Sequence, residues 1–200
     1  MAPMAPELDD RTTAQLAFLV EADRLKAVER ANPLVDGSRR ENSAEHSWHV
    51  ALMAAVLAER SDEPVDLGRA LCLCLVHDLV EIDAGDTPPW DTAGRATKAA
   101  RETAAADRLF ALLPADQAIT FRAWWDEFEE ATTPEARLAR AVDSLAPLVV
   151  NHAAGGSLWR EKGRTEADVR ARNARLEAWV PALVPVVDAL VDDAVAKGWL

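Results

Sequence analysis

Only four imidazoles are available in this chain of 200 residues: His46, His49, His77 and His152. His77 stands beside Asp78 at the end of Leu71-Cys72-Leu73-Cys74-Leu75-Val76, a run that is apolar on every side. Glu81 follows, and Asp86 comes just past Gly85. A helix apolar all round belongs in the middle of a domain. An imidazole and carboxylates at its end are costly there unless something pairs with them, and a divalent cation would be such a partner.

The other ligands must come from elsewhere in the chain. His46 belongs to the stripe His46, His49/Val50, Met53, Leu57, whose helical spacing turns it toward the core. Asp143 is the best oxygen donor to close a site, on a face shared with Ala139, Ala146 and Val150. Small neighbours let another helix approach closely. Pro147 cannot donate the helical bond that the Asp143 carbonyl would accept, so a kink is expected there. Taken alone, Asp143 reads equally as a surface partner of Arg140, which would contribute little. His49 reads as a core residue, and His152 as a residue at the surface or at a helix C-terminus, where a cation suits the dipole.

The elements that must position these groups are all helical. The apolar spacing predicts a first helix from 11 to about 31, stopped by Pro33 and Gly37. A second opens at Asn42 or Ser43, both good caps, and runs to about 60. A third follows Asp66 and carries the apolar run to about 82, with a loop at Gly85-Asp86-Thr87-Pro88-Pro89. Further helices are expected at 95–113, around Phe121/Trp124/Trp125/Phe128, from Pro134 to the Gly155-Gly156 stop, at about 166–180 and at 181–197. The aromatic stripe has plain amphipathic spacing and reads as core or subunit contact. No run alternates with a period of two and no hairpin signal stands out. The expected fold is all-α: about eight helices in one domain, 11–200, behind a loose tail over 1–10.

Bulk composition narrows the function. Half of the residues are hydrophobic, enough for one well-cored domain at this length. A formal net charge of −12 argues against nucleic acid or an anionic membrane as partner. A small anionic substrate remains compatible, since a bound metal can reverse the local field. The residues Met1-Ala2-Pro3-Met4-Ala5-Pro6 show neither a basic region nor an apolar run, so no signal peptide is expected. The late apolar stretch is broken by Pro181, Pro185, Asp188, Asp192 and Asp193, which rules it out as a membrane span. Cys72 and Cys74, roughly 200° apart on a helix, read as core thiols of a cytoplasmic protein.

His46, then His77-Asp78, then Asp143, on three helices of an all-α chain, resemble the HD-domain metal-dependent phosphohydrolases. Glu41-Asn42-Ser43-Ala44-Glu45-His46-Ser47 and His77-Asp78-Leu79-Val80-Glu81-Ile82-Asp83-Ala84-Gly85-Asp86-Thr87 look like the two blocks of the branch that contains the bacterial 5′-deoxynucleotidases. The resemblance covers about 15–155 and centres on 42–152; the C-terminal helices over 165–198 match loosely. It implies that His46, His77, Asp78 and Asp143 bind one divalent ion, Mn, Co, Fe, Ni, Zn or Mg; the mixed N/O set suits the first five better than Ca. It also implies that Glu81 orients or deprotonates the attacking water, that Asp86 is the second acid/base carboxylate, and that the protein is a homodimer. The substrate implied is a phosphomonoester such as a nucleoside 5′-monophosphate. The alternatives are a phosphodiesterase or pyrophosphohydrolase on a signalling nucleotide, and a non-catalytic nucleotide-binding protein. No histidine lies between Asp78 and Asp143, which departs from the dinuclear members. Where the deoxynucleotidases carry Arg-Trp before a proline, this chain reads Ala31-Asn32-Pro33. Arg39 or Arg40, and more weakly Lys98, are the candidates to hold the substrate phosphate in place of that pair.

Overall fold

The computed structural model describes residues 8–200; most of the expected tail lies outside them. Helix α1 (Asp10–Ala22) starts where Asp9 accepts the Thr12 N–H at 2.7 Å, an N-cap that satisfies an otherwise orphaned donor. It does not run on to residue 31. The chain tightens into a 3₁₀ turn over Asp23–Ala27 and then extends into β1 (Glu29–Pro33), paired antiparallel with β2 (Arg40–Asn42). This hairpin corrects the sequence expectation. Its strands are short and charged and carry no alternation, so their pattern gave no strand signal. At the turn, the Leu34 N–H donates to the Arg39 carbonyl at 2.9 Å, and Gly37 takes a φ of 69°, natural for glycine.

Helix α2 (Ser43–Leu57) opens directly from β2 with a capping box: Asn42 and Glu45 each accept the other's backbone N–H. Helix α3 (Leu67–Val76) starts on Asp66, as expected, but ends sooner than the apolar run suggests. Residues 77–80 form turns, and α4 (Glu81–Ala84) follows at a new angle. Helices α5 (Thr92–Phe110), α6 (Ala115–Glu130) and α7 (Pro134–Ala153) match the pattern closely. Past Gly156 the chain breaks into more pieces than the pattern predicted: α8 (Ser157–Glu161), α9 (Glu166–Asn173), α10 (Leu176–Trp179) and α11 (Val184–Ala196). The extra breaks fall at turns too short to interrupt an apolar pattern. Among the described residues the fold is all-α apart from the two-stranded hairpin.

Helix α7 is the central post, packed against α2, α3, α6, α9, α10 and α11. Its buried Leu138, Val142 and Leu145 join Val50, Leu73 and Leu176 in one apolar cluster. Phe18, Val80, Leu109, Phe110 and Trp125 form a second. Each fully buried side chain of this size contributes about 1.5–3 kcal/mol. Trp125 and Phe128 are buried and Phe121 and Trp124 half-buried, so the aromatic stripe of α6 is spent on packing.

Candidate metal centre

Helices α2, α3 and α7 bring three separated residues to one point. His46 comes from the first turn of α2, His77 caps the C-terminus of α3, and Asp143 projects from the middle of α7. Their ligand atoms lie within 4.8 Å of one another. His46 Nε2 is 2.9 Å and His77 Nε2 3.7 Å from Asp143 Oδ1.

The tautomer of His77 is set by its surroundings. Its Nδ1 lies 2.7 Å from the Cys74 carbonyl, which can only accept, so Nδ1 carries the hydrogen. That leaves Nε2 buried and without a hydrogen-bond partner among the described residues. Asp78 Oδ1 at 3.1 Å and Asp143 Oδ1 at 3.7 Å flank it. A lone pair aimed between carboxylate oxygens, with the other ring nitrogen fixed by a carbonyl, is the arrangement of a metal-ligating histidine. The residues present therefore fit a divalent cation. Without one, burial opposes charge on His77, but Asp78 and Asp143 outweigh it and push its pKa up to about 10. Burial also disfavours the charge on Asp143, and the hydrogen bond with His46 and the nearby imidazole of His77 overcome it and hold the carboxyl well below the usual range.

Asp78 sits beside this trio but is gripped from another side. Its Oδ2 accepts from Arg30 Nη1 at 2.8 Å. Burial would raise its pKa, yet His77 and Arg30 hold it well below the ordinary value. Arg30, on β1, has a side chain only 9% exposed and also faces Glu41 at 3.3 Å, Glu81 at 3.6 Å and Asp86 at 3.9 Å. Its guanidinium thus balances carboxylates from the hairpin, from the end of α3, from α4 and from the following loop. The sequence reading missed Arg30 because the hairpin that carries it was read as helix. The signal available was its place just ahead of Ala31-Asn32-Pro33.

Glu81 opens α4 and accepts the Ser43 hydroxyl at 2.6 Å. Burial, Asp78 and Asp86 together outweigh Arg30 and Ser43 and push its pKa up to about 8. Asp86 reaches the same cluster because Gly85 turns the chain with a φ of 70°. The three expected phosphate clamps are engaged elsewhere. Arg39 pairs with Glu45 on the exposed face, Arg40 bonds the Ala31 carbonyl and Glu161, and Lys98 pairs with Glu102 at 2.6 Å. His49 is half-buried beside Trp48, and His152 ends α7 with Asp193 2.6 Å from its Nε2. Neither approaches the trio. Among the described residues no helix is long and apolar enough to cross a membrane.

A family model described as the HD domain matches residues 22–183. The chain belongs to the HD-domain family. Its His-Asp pair is His77-Asp78, at the end of the helix that supplies the site. A solved structure from Magnetospirillum magnetotacticum, described as a predicted metal-dependent phosphohydrolase, is 48% identical, covers 98% of this chain and 99% of its own, and superposes with a TM-score of 0.91. The 5′-deoxynucleotidase HDDC2 of Bos taurus is 33% identical over 135 residues, 67% of this chain and 64% of its own length. The protein of the same name from Danio rerio is 30% identical over 138 residues, 68% of each chain. The similarity thus spans about two thirds of these HD relatives' length.

Proposed function

We propose that this HD protein is a divalent-metal-dependent phosphohydrolase that removes the phosphate of a phosphomonoester, a nucleoside 5′-monophosphate in particular. The observation that carries the reading is the unpartnered, buried Nε2 of His77 among the oxygens of Asp78 and Asp143, with His46 alongside. The names of the similar proteins agree with it. His46, His77, Asp78 and Asp143 are the residues that would hold the ion, one per chain. A bound divalent ion supplies Lewis acidity toward a phosphoryl oxygen and lowers the pKa of water.

The chain's own groups then divide the work. Glu81 is positioned by the Ser43 hydroxyl to take a proton from the attacking water. Asp86 stands on the loop beside it as the second carboxylate, serving the leaving oxygen. Arg30 holds Asp78, Glu81 and Asp86 at fixed separation, a positioning role. The residues over 11–200 act as one HD domain, with a motif core over 42–152 and the C-terminal helices over 165–198 completing it.

A homodimer is consistent with the exposed stripe Trp48, Leu52 and Val56 on one face of α2, and light scattering at micromolar concentration checks it. A cytoplasmic location is consistent with the two unpaired thiols, Cys72 and Cys74. The test of the main reading is a metal-panel screen of phosphomonoesters on purified protein. Turnover with Mn, Co or another divalent ion, lost in Asp78→Ala, supports it. Absence of both metal binding and turnover overturns it.

A further inference from the structure

The floor of the site is strongly acidic for a place that must receive a phosphate. Asp78, Glu81 and Asp86, with Glu41 behind them, face one guanidinium, Arg30, and Asp143 lies close by beside His46 and His77. Arg30 is held among those carboxylates, with its Nη1 on Asp78 and its Nε facing Glu41. An approaching phosphomonoester dianion needs another cation in reach.

Arg172 meets that need. Acidic groups outnumber basic ones 34 to 22 in this chain, and most arginines are in ion pairs. Yet no ion pair or side-chain hydrogen bond engages Arg172 among the described residues. It lies on the last turn of α9, next to Asn173. Ser144, the neighbour of Asp143 on α7, lies 3.3 Å through its hydroxyl from Asn173 Oδ1 and 3.5 Å from the Arg172 carbonyl. These contacts seat the end of α9 on the turn of α7 that carries Asp143. Arg172 is exposed to solvent, and desolvation by the protein packed around it still draws its pKa below the ordinary value. The charges acting on it are Asp143, Arg30, Asp86 and Arg95, the groups of the site and its rim.

We propose that Arg172 is a substrate-binding residue, an unpaired cation beside the site that receives the phosphoryl group of the substrate. The inference deepens the phosphohydrolase reading and rests on it for the identity of the substrate. A planar guanidinium with unengaged donors suits two phosphoryl oxygens at once. It also gives the C-terminal helices a direct part in substrate capture.

The experiment uses metal-loaded wild type, Arg172→Gln, Arg172→Lys and, as a control on the same surface, Arg175→Gln. Inorganic phosphate binding is measured by calorimetry, and KM and kcat with a nucleoside 5′-monophosphate. Arg172→Gln is expected to weaken phosphate binding and raise KM about 10-fold, a change of about 1.4 kcal/mol. Its kcat should stay within about twofold and its melting temperature should not move. Arg172→Lys should recover part of the loss, and Arg175→Gln should behave as wild type. Unchanged phosphate affinity in Arg172→Gln, or a loss shared equally by Arg175→Gln, overturns the inference even if the wild type is active. If the wild type turns over no phosphomonoester but Arg172→Gln still loses phosphate affinity, the subsite stands and the hydrolytic reading falls.

Discussion

Arg30 Nη1 donates to Asp78 Oδ2 at 2.8 Å, tying the aspartate of the His-Asp pair to a hairpin 48 residues earlier in the chain. Asp78 can therefore not swing freely, and the acidic cluster keeps its geometry in the metal-free protein. Removing one member of such a buried set leaves uncompensated charge. Arg30→Met is expected to destabilise the metal-free protein at neutral pH by about 3–5 kcal/mol, read from urea denaturation. A change under about 0.5 kcal/mol would show that the guanidinium is not what holds the cluster.

Metal affinity should divide the histidines cleanly. Changes beyond the direct ligands typically cost 10–100-fold in affinity, so loss of a direct donor is expected to cost at least about 100-fold. His46→Ala and Asp143→Asn are expected to reach that range in calorimetric titrations with Mn²⁺. His49→Ala, away from the trio, is expected to bind as wild type. Equal affinity across all three variants would remove the site.

Stability should vary with pH in a defined direction. Folding raises Glu81 from 4.5 to about 8 and His77 from 6.5 to about 10. For both, the folded chain binds more protons than the unfolded one. Their contribution is whole below the lower value of each and is lost as pH rises through the upper. Asp78 and Asp143 run the other way: held below 3.8, they stabilise above it and lose that contribution as pH falls through their folded values. The metal-free protein is expected to be most stable at about pH 4–6 and to weaken toward pH 10. Glu81→Gln should flatten the slope between 4.5 and 8. A wild-type curve that rises through that window contradicts the assignment.

The capping box of α2 should matter for both stability and chemistry. Asn42→Ala is expected to cost about 1 kcal/mol, measured by thermal or urea unfolding. Because His46 lies in the same turn, Mn²⁺ affinity should fall as well. An unchanged affinity would mean that helix packing alone fixes His46.

The parts legible in the sequence were those with a strong periodic or local signal. His46, His77 and Asp143 stood out because histidines are few and their helices have clear apolar faces, and the structure brings these three together. Glu81 and Asp86 were named through the resemblance of the block that follows His77, and both fall beside Arg30. The hairpin was not legible, since five- and three-residue strands rich in charge bury too little to leave a pattern. With it went Arg30, whose role depends on pairing partners 11 to 56 residues away. Arg39 and Arg40 were named for proximity in sequence to His46, and the turn of the hairpin points them to Glu45 and Glu161 instead. Arg172 carried no signal, because only the packing of α9 on α7 sets it near Asp143.

The amide of Asn151, at the far end of α7, donates to Asn32 Oδ1 at 2.9 Å, and Asn32 in turn donates to Glu41 at 3.2 Å. Glu41 faces Arg30, so a continuous polar line runs from the end of the central helix to Asp78. Two neutral amides with no chemistry of their own thereby become part of the tolerance map of the enzyme. In a random-mutagenesis survey, positions 32 and 151 should be about as intolerant as the acidic residues they support. Divergence within the family should then accumulate on the rim, while this inner line changes only in concert.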